Sequence, residues 1–343
     1  MARASNHLIG ILLGVSAVVA GSASLVGFQS VAKAQGDEPG DRDFVLTPHG
    51  RYHKTCVTRI PNGGELNAKR QVVLDGKVVL PAKGPCAFPV KDRPRPGRGN
   101  SAPTQPSPIS PSGGPLPAIN GWVEWKRAAA IPSTGAVSWF NGLSASWVVP
   151  PAPTTVSDQT IFLFPALQDP TFEAIMQPVL QWGPSAVGGG QHWSIATWYI
   201  DILNNVYVST LQTVNAGDSL FGAMSLVQGT CTQSAGSCLW GLSIQDTTTS
   251  VSSMMFVYTL ENFTHAWAGA LEVIAVDTCG ELPNATSTTF SNVRAYEPSN
   301  NPNAWYQDVT AALTWSTGVE SGLNPGNCGY GVGGSGSTAI LSY

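Results

Sequence analysis

From residue 118 to the end of the chain, apolar and polar residues alternate with period two in almost every segment. Examples are Ser144-Ala-Ser-Trp147, Thr160-Ile-Phe-Leu-Phe164, Trp193-Ser-Ile-Ala-Thr-Trp-Tyr-Ile200 and Leu239-Trp-Gly-Leu-Ser-Ile244. Ser253-Met-Met-Phe-Val-Tyr258, Leu271-Glu-Val-Ile-Ala-Val276 and Ser287-Thr-Thr-Phe-Ser-Asn-Val293 continue the pattern. Side chains of a strand point to opposite faces in turn, so this period specifies strands rather than helices. Gly, Asn, Pro and Asp clusters separate the segments at the spacing of roughly 8–12 residues expected of a sandwich. The 226 residues from 118 to 343 suffice for one large core. The expectation is all-β: a two-sheet antiparallel β-sandwich of concanavalin or jelly-roll type with about ten to twelve strands. A single helical pattern lies around Trp305–Leu313.

What precedes residue 118 is built differently. Residues 1–34 read as a secretory signal peptide: Arg3 is followed by the apolar run Leu8–Val26 and by the small-x-small site Ala32-Lys33-Ala34. Secretion into the extracellular medium follows, with no stable membrane anchor once the signal is removed. Residues 35–98 are polar and basic, and Asp75-Gly76 between Val72-Val73-Leu74 and Lys77-Val78-Val79-Leu80 marks a two-residue hairpin. This segment is expected to form a small disulfide-stapled unit, either a pro-segment or an accessory module. Residues 99–117 form a Pro/Ser/Gly-rich linker that cannot build a core. The sandwich domain then occupies 118–343.

Charge divides along the same boundaries. Residues 35–117 carry 12 Lys+Arg against 7 Asp+Glu, whereas 118–343 carry only Lys126, Arg127 and Arg294 against 14 acids. A basic front segment before a domain nearly free of lysine is not the signature of a nucleic-acid or membrane-surface protein. It suggests that the front segment neutralises the acidic domain, which repels itself less as its carboxylates protonate. An acidic working medium and a monomeric state are the corresponding expectations.

Six cysteines in an exported chain are read as three disulfides, and among 15 pairings their sequence neighbours suggest Cys56–Cys86, Cys231–Cys238 and Cys279–Cys328. They lack paired C-x-x-C spacing and the histidines are scattered, so neither a metal nor another cofactor is expected. There is no G-x-S-x-G elbow and no phosphate-cradling loop before a helix. His192 and His265, the two histidines of the domain, sit in no recognisable triad.

Carboxylate and amide chemistry remains. Gln181 lies in the apolar run Ile175-Met-Gln-Pro-Val-Leu-Gln-Trp-Gly183, and Glu272 in Ala270-Leu-Glu-Val-Ile-Ala-Val-Asp277. A buried amide needs partners, and a buried carboxyl has a raised pKa that suits general acid/base work. Alternation alone equally allows Glu272 on a solvent face and Gln181 as a hydrogen-bonded structural amide.

In order and spacing, the segments from about Ser138 to Ala295 resemble the glutamic peptidase (eqolisin) family. Val179-Leu-Gln-Trp-Gly183 resembles that family's I-L-Q-T-G, and Ala270-Leu-Glu-Val-Ile274 its A-E-W-I. Trp193–Ile200 resembles its aromatic W-Y-E-W-Y strand, and Asn215-Ala-Gly-Asp218 its A-G-D turn. Glu281-Leu-Pro283 and Phe290-Ser-Asn292 follow where E-x-x-x-L-x-P and F-x-N-A would. The resemblance implies a secreted acid endopeptidase acting on polypeptides. In it Glu272 is the general base and then acid, while Gln181 orients the water and donates its N–H to the developing oxyanion. It also implies a basic pro-segment shed at low pH, and substrate-binding positions at Phe164, Gln168, Asp169, Trp182, Trp198 and Tyr199.

The chain departs from the family pattern at Phe164 and Gln168, which stand where tryptophan and aspartate are expected, and at Thr197, which replaces a glutamate. Pro178 and Pro184 bracket the glutamine and suggest an edge or short strand. Asp169 or Glu173 is a candidate second carboxylate. The competing reading is a secreted glycan hydrolase or carbohydrate-binding sandwich. There Trp139, Trp147, Trp182, Trp193, Trp198 and Trp267 line a groove, and Glu173 or Glu261 joins Glu272 as an acid pair.

Overall fold

The computed structural model describes residues 41–93, 119–130, 139–227, 238–299, 306–320 and 328–343. The proposed signal peptide, the Pro-rich linker and Cys231 lie outside them. Strands are numbered in chain order. Before the linker come β1 (Phe44–Thr47), β2 (Gly50–His53), β3 (Val57–Arg59), β4 (Glu65–Leu66), β5 (Val72–Leu74) and β6 (Lys77–Leu80). After it come β7 (Ile119–Ala129), β8 (Gly142–Val148), β9 (Thr160–Gln168), β10 (Ile175–Ser185), β11 (Gly188–Ile200), β12 (Val206–Val208), β13 (Gln212–Thr213) and β14 (Ser219–Leu226). The last are β15 (Cys238–Asp246), β16 (Ser252–Thr259), β17 (His265–Val276), β18 (Ser287–Pro298), β19 (Tyr306–Asp308), β20 (Ser316–Val319), β21 (Gly331–Gly333) and β22 (Ala339–Ser342).

Two sheets carry nearly all of them. One runs β20-β7-β17-β9-β10-β11-β12-β3, with β13 added to β11. The other runs β21-β22-β18-β8-β14-β15-β16-β4-β5-β6, with β19 added to β18. Within 118–343 the pairings are antiparallel, so the expected two-sheet β-sandwich is what forms. The strand number exceeds ten to twelve because pieces of two to four residues, such as β13 and β19, extend the edges. The helical pattern around 305–313 is not a helix: Tyr306–Asp308 pairs with β18, and a turn follows. Among the described residues no helix is long and apolar enough to cross a membrane.

Between the sheets lies the main core, including Leu163, Leu180, Trp182, Trp193, Tyr199, Leu271, Phe290 and Trp147. A second apolar cluster covers the outer face of the first sheet, with Trp122, Phe162, Phe164, Val179, Trp198, Trp267 and Ala270. Both faces of β9 and β10 are therefore buried, and every residue of Thr160–Gln168 is inaccessible. The glutamine strand is central rather than an edge, which corrects the inference from its prolines. The β9–β10 register places Pro178 opposite Pro165, at a gap in the ladder between Met176–Leu167 and Leu180–Leu163. Neither residue has an N–H to donate, so two prolines facing each other leave no orphan donor.

Residues 41–93 do not stand apart as a self-contained unit. β3 runs parallel to β12 at the end of the first sheet, and β4 runs parallel to β16 in the second. The segment thereby covers an exposed edge of each sheet, where unpaired N–H and C=O groups would otherwise lie open. The β5–β6 hairpin turns at Asp75 (φ 50°) and Gly76 (φ 74°), both left-handed as a type I′ turn requires. Disulfides join Cys56 to Cys86 and Cys279 to Cys328, as expected. Cys238 is also disulfide-bonded.

Candidate active site

Strand register fixes which side chains share a face. Glu272 pairs with both Trp122 and Phe162, and Gln181 pairs with both Phe162 and Ser194. Directly opposed residues point the same way, so these five form one row across the outer face of the first sheet. Glu272 and Gln181 stand two strands apart across Phe162, roughly 10 Å at the backbone. A few residues along the same face lies a second group: Gln177, opposite Trp198, and Gln168, opposite both Ile175 and His265.

Polar atoms on this face lack partners. Trp122 Nε1, Glu272 Oε2, Gln181 Oε1, Ser194 Oγ, Gln177 Oε1, Gln168 Oε1, Trp198 Nε1 and Trp267 Nε1 are all buried without a hydrogen bond. Unsatisfied buried groups cost on the order of 1–3 kcal/mol each and are normally few. The eight on this face are thereby available to a bound group or to water.

What covers the face is the β1–β2 hairpin. Leu46 O accepts from Ala186 N–H (2.8 Å) and Pro48 O from Gln177 Nε2 (3.1 Å). His49 Nε2 faces Gln168 Nε2 at 3.3 Å, and the backbone N–H of Gly50 is directed at Glu272. With Gln168 donating, His49 carries its proton on Nδ1 and donates to Tyr52 Oη at 3.3 Å. Burial first, and then the charge of Arg93, pulls the His49 pKa down to about 3, so the ring is neutral. A pocket of about 310 Å³ remains beside the hairpin, bounded by Phe44, Leu46, Gly50, Gly121, Glu272 and Ile274.

Glu272 is 1 % exposed, and desolvation holds its pKa well above the usual carboxylate range. The Trp122 indole and the Gly50 N–H favour the charged form but do not offset burial. The Trp122 contact is a near approach rather than a well-formed hydrogen bond, since Nε1 meets no acceptor in good geometry. Under the hairpin, burial therefore favours the protonated form of Glu272.

Gln181 is held differently from the expectation. Its Nε2 donates to Gly183 O (2.7 Å) and Gly188 O (3.0 Å), so both N–H groups are used on the turn between β10 and β11. Gly189, at φ +97°, lies against the same amide with no space for a side chain. The carboxamide therefore presents an acceptor, Oε1, to its surroundings rather than the donor expected for an oxyanion.

The other sequence candidates divide by face. Phe164, Gln168 and Trp198 lie on the outer face with Glu272 and Gln181. Trp182 and Tyr199 point the opposite way into the inter-sheet core, Trp182 against Trp193 and Tyr199 Oη on Glu261 (2.7 Å). Asp169 is a loop organiser whose Oδ1 accepts from Glu173 N and Ala174 N. Glu173 is half-exposed, 3.9 Å from Arg93, and Glu261 is tied to Tyr199, Ile202 N and Leu260 N. Glu261 is thereby held on the inter-sheet side, away from the face that carries Glu272. The proposed tryptophan groove does not form either, because Trp147, Trp182 and Trp193 belong to the inter-sheet core. Sequence reading missed Gln177, Ser194 and Trp122, whose shared face with Glu272 depends on pairing across five strands. Among the described residues no three His, Cys, Asp or Glu side chains are placed to hold a metal ion.

No family model matches the sequence, and no curated protein does. Solved structures that are distantly similar include two peptidases. One is SCP-B, a member of the eqolisin family of peptidases, in a complex with the tripeptide Ala-Ile-His: 16 % identity, TM-score 0.42, covering 66 % of this chain and 100 % of that one. The other is scytalido-glutamic peptidase with a transition state analog inhibitor: 13 % identity, TM-score 0.41, with the same coverage.

Proposed function

We propose that this chain is a secreted acid endopeptidase whose working groups are Glu272 and Gln181 and whose residues 41–93 cover the site until acid loosens them. The observation that carries this reading is the row of unpartnered polar atoms around a buried carboxyl, lying beneath a peptide hairpin of the chain itself. A cleft that accommodates one peptide hairpin in this manner is suited to another peptide.

The chemistry follows from displacement of the hairpin. Solvent then reaches Glu272, the desolvation that keeps it neutral is relieved, and the carboxylate forms in mild acid. It takes a proton from a water molecule as that water attacks the scissile carbonyl carbon. Gln181 Oε1 accepts the water's other hydrogen, and the turn carbonyls Gly183 O and Gly188 O fix the amide for that task. Trp122 Nε1, buried beside Glu272 without an acceptor, is the available donor for the oxyanion. Glu272 then returns the proton to the leaving nitrogen as the C–N bond breaks, giving a carboxylic acid and an amine.

Two charge contacts support an acid-labile cover. Arg70 pairs with fully buried Asp201, and Arg93 approaches Glu173 at 3.9 Å. Both contacts join the basic segment to the acidic domain, whose overall negative charge falls in acid. The test incubates the purified chain at about pH 4 with a denatured protein and, separately, with insoluble polysaccharides. New peptide termini found by mass spectrometry support the reading; polysaccharide retention with no peptide cleavage at any pH overturns it.

A further inference from the structure

Gln177 lies four residues before Gln181 on the same strand face, roughly 13 Å away along β10. Its hydrogen bonding is not that of an amide holding its own sheet together. Nε2 donates to the main-chain carbonyl of Pro48 at 3.1 Å, and Oε1 is buried with no partner. It is fully inaccessible beneath the hairpin.

We propose that Gln177 is a substrate-positioning residue that grips a main-chain carbonyl of the bound peptide, an inference that rests on the peptidase reading above. The hairpin supplies the register. It is a polypeptide and offers the same backbone groups as a substrate, with Pro48 O on Gln177 and Gly50 N–H toward Glu272. Gly50 N belongs to the His49–Gly50 peptide bond. A substrate laid along the same path therefore has its scissile nitrogen at Glu272 and the carbonyl of the second residue on the acyl side at Gln177. Removing the hairpin strips the Gln177 amide of its partner, and a substrate carbonyl restores it. A contact of this kind reads backbone and no side chain, so it contributes affinity to many sequences alike. Neutral amides at 168 and 177 also place no fixed charge at this end of the cleft.

The test is steady-state kinetics of the acid-treated full chain on an internally quenched peptide, for the parent, Gln177→Ala, Gln177→Glu and Glu272→Gln. Gln177→Ala is expected to raise KM about tenfold with kcat near the parent value, the signature of lost uniform binding. Gln177→Glu adds a readout that a merely structural role would not move. A carboxylic acid donates a hydrogen bond only while protonated, so KM should match the parent in strong acid. It should then rise as the pH passes the carboxyl range near about 4.3. An inactive Glu272→Gln together with parent-like KM in Gln177→Ala and no added pH dependence in Gln177→Glu overturns the role of Gln177 alone. A fully active Glu272→Gln overturns the peptidase reading beneath it.

Discussion

A second buried acid lies outside the cleft. Glu124, on β7, turns toward the inter-sheet side, where its Oε2 accepts from Gly331 N–H (3.1 Å) and its Oε1 is buried without a partner. It is 0 % exposed, and burial raises its pKa from 4.5 to about 8. A carboxyl whose folded pKa lies above its unfolded value binds its proton more tightly in the folded state. The corresponding stability is complete below pH 4.5 and is lost as the pH rises through 4.5 toward about 8. At 1.36 kcal/mol per pH unit, this interval is worth about 5 kcal/mol as an upper bound. Glu124→Gln keeps the shape and removes the titration. Urea unfolding of parent and variant at about pH 4 and pH 8 should show near-equal stability in acid. At the higher pH the variant should be more stable by several kcal/mol. Equal losses in both proteins between the two pH values would refute the assignment of this slope to Glu124.

Two further substitutions probe the cover and the turn. Arg70→Ala leaves Asp201, which is 0 % exposed, without its cation; it should cost about 3 kcal/mol in urea unfolding, near the lower end for a broken buried pair because Leu203 N and Asn205 N still donate to Asp201. Gly189→Ala places a Cβ against Gln181 Nε2 and Gly183 O on a backbone at φ +97°. It should lower the melting temperature by several degrees and remove peptide cleavage, as read by calorimetry and a quenched-peptide assay.

Period-two alternation located the strands well, because it is a local property. Trp193–Ile200 falls within β11, Leu239–Ile244 within β15, and the Asp75-Gly76 turn forms where its chemistry requires. The same alternation could not say which face of β9 and β10 meets the core, since both faces are buried: one by the second sheet, the other by a hairpin more than a hundred residues earlier in the chain. For that reason Trp182 and Trp198 looked equivalent in sequence and are not. Gln181 and Glu272 were legible as polar intrusions into apolar runs. The turn carbonyls that hold Gln181, the facing pair Pro165 and Pro178, and the burial of Glu124 depend on contacts between distant segments and carry no local signal.

Residues 41–93 extend along an edge of both sheets. The Cys56–Cys86 disulfide lies wholly within this segment, so cleavage of the linker would leave it attached only by strand pairing, side-chain contacts and charge.

Under the proposed function, Glu272 is the acid/base group of a peptide-hydrolysing site. Its most direct test is the single-turnover rate of acid-treated Glu272→Gln against the parent on one defined peptide at about pH 4, with thermal unfolding as a check on folding. The expected result is a loss of at least about a thousandfold in rate with the fold retained. A variant that cleaves within about twofold of the parent would contradict it.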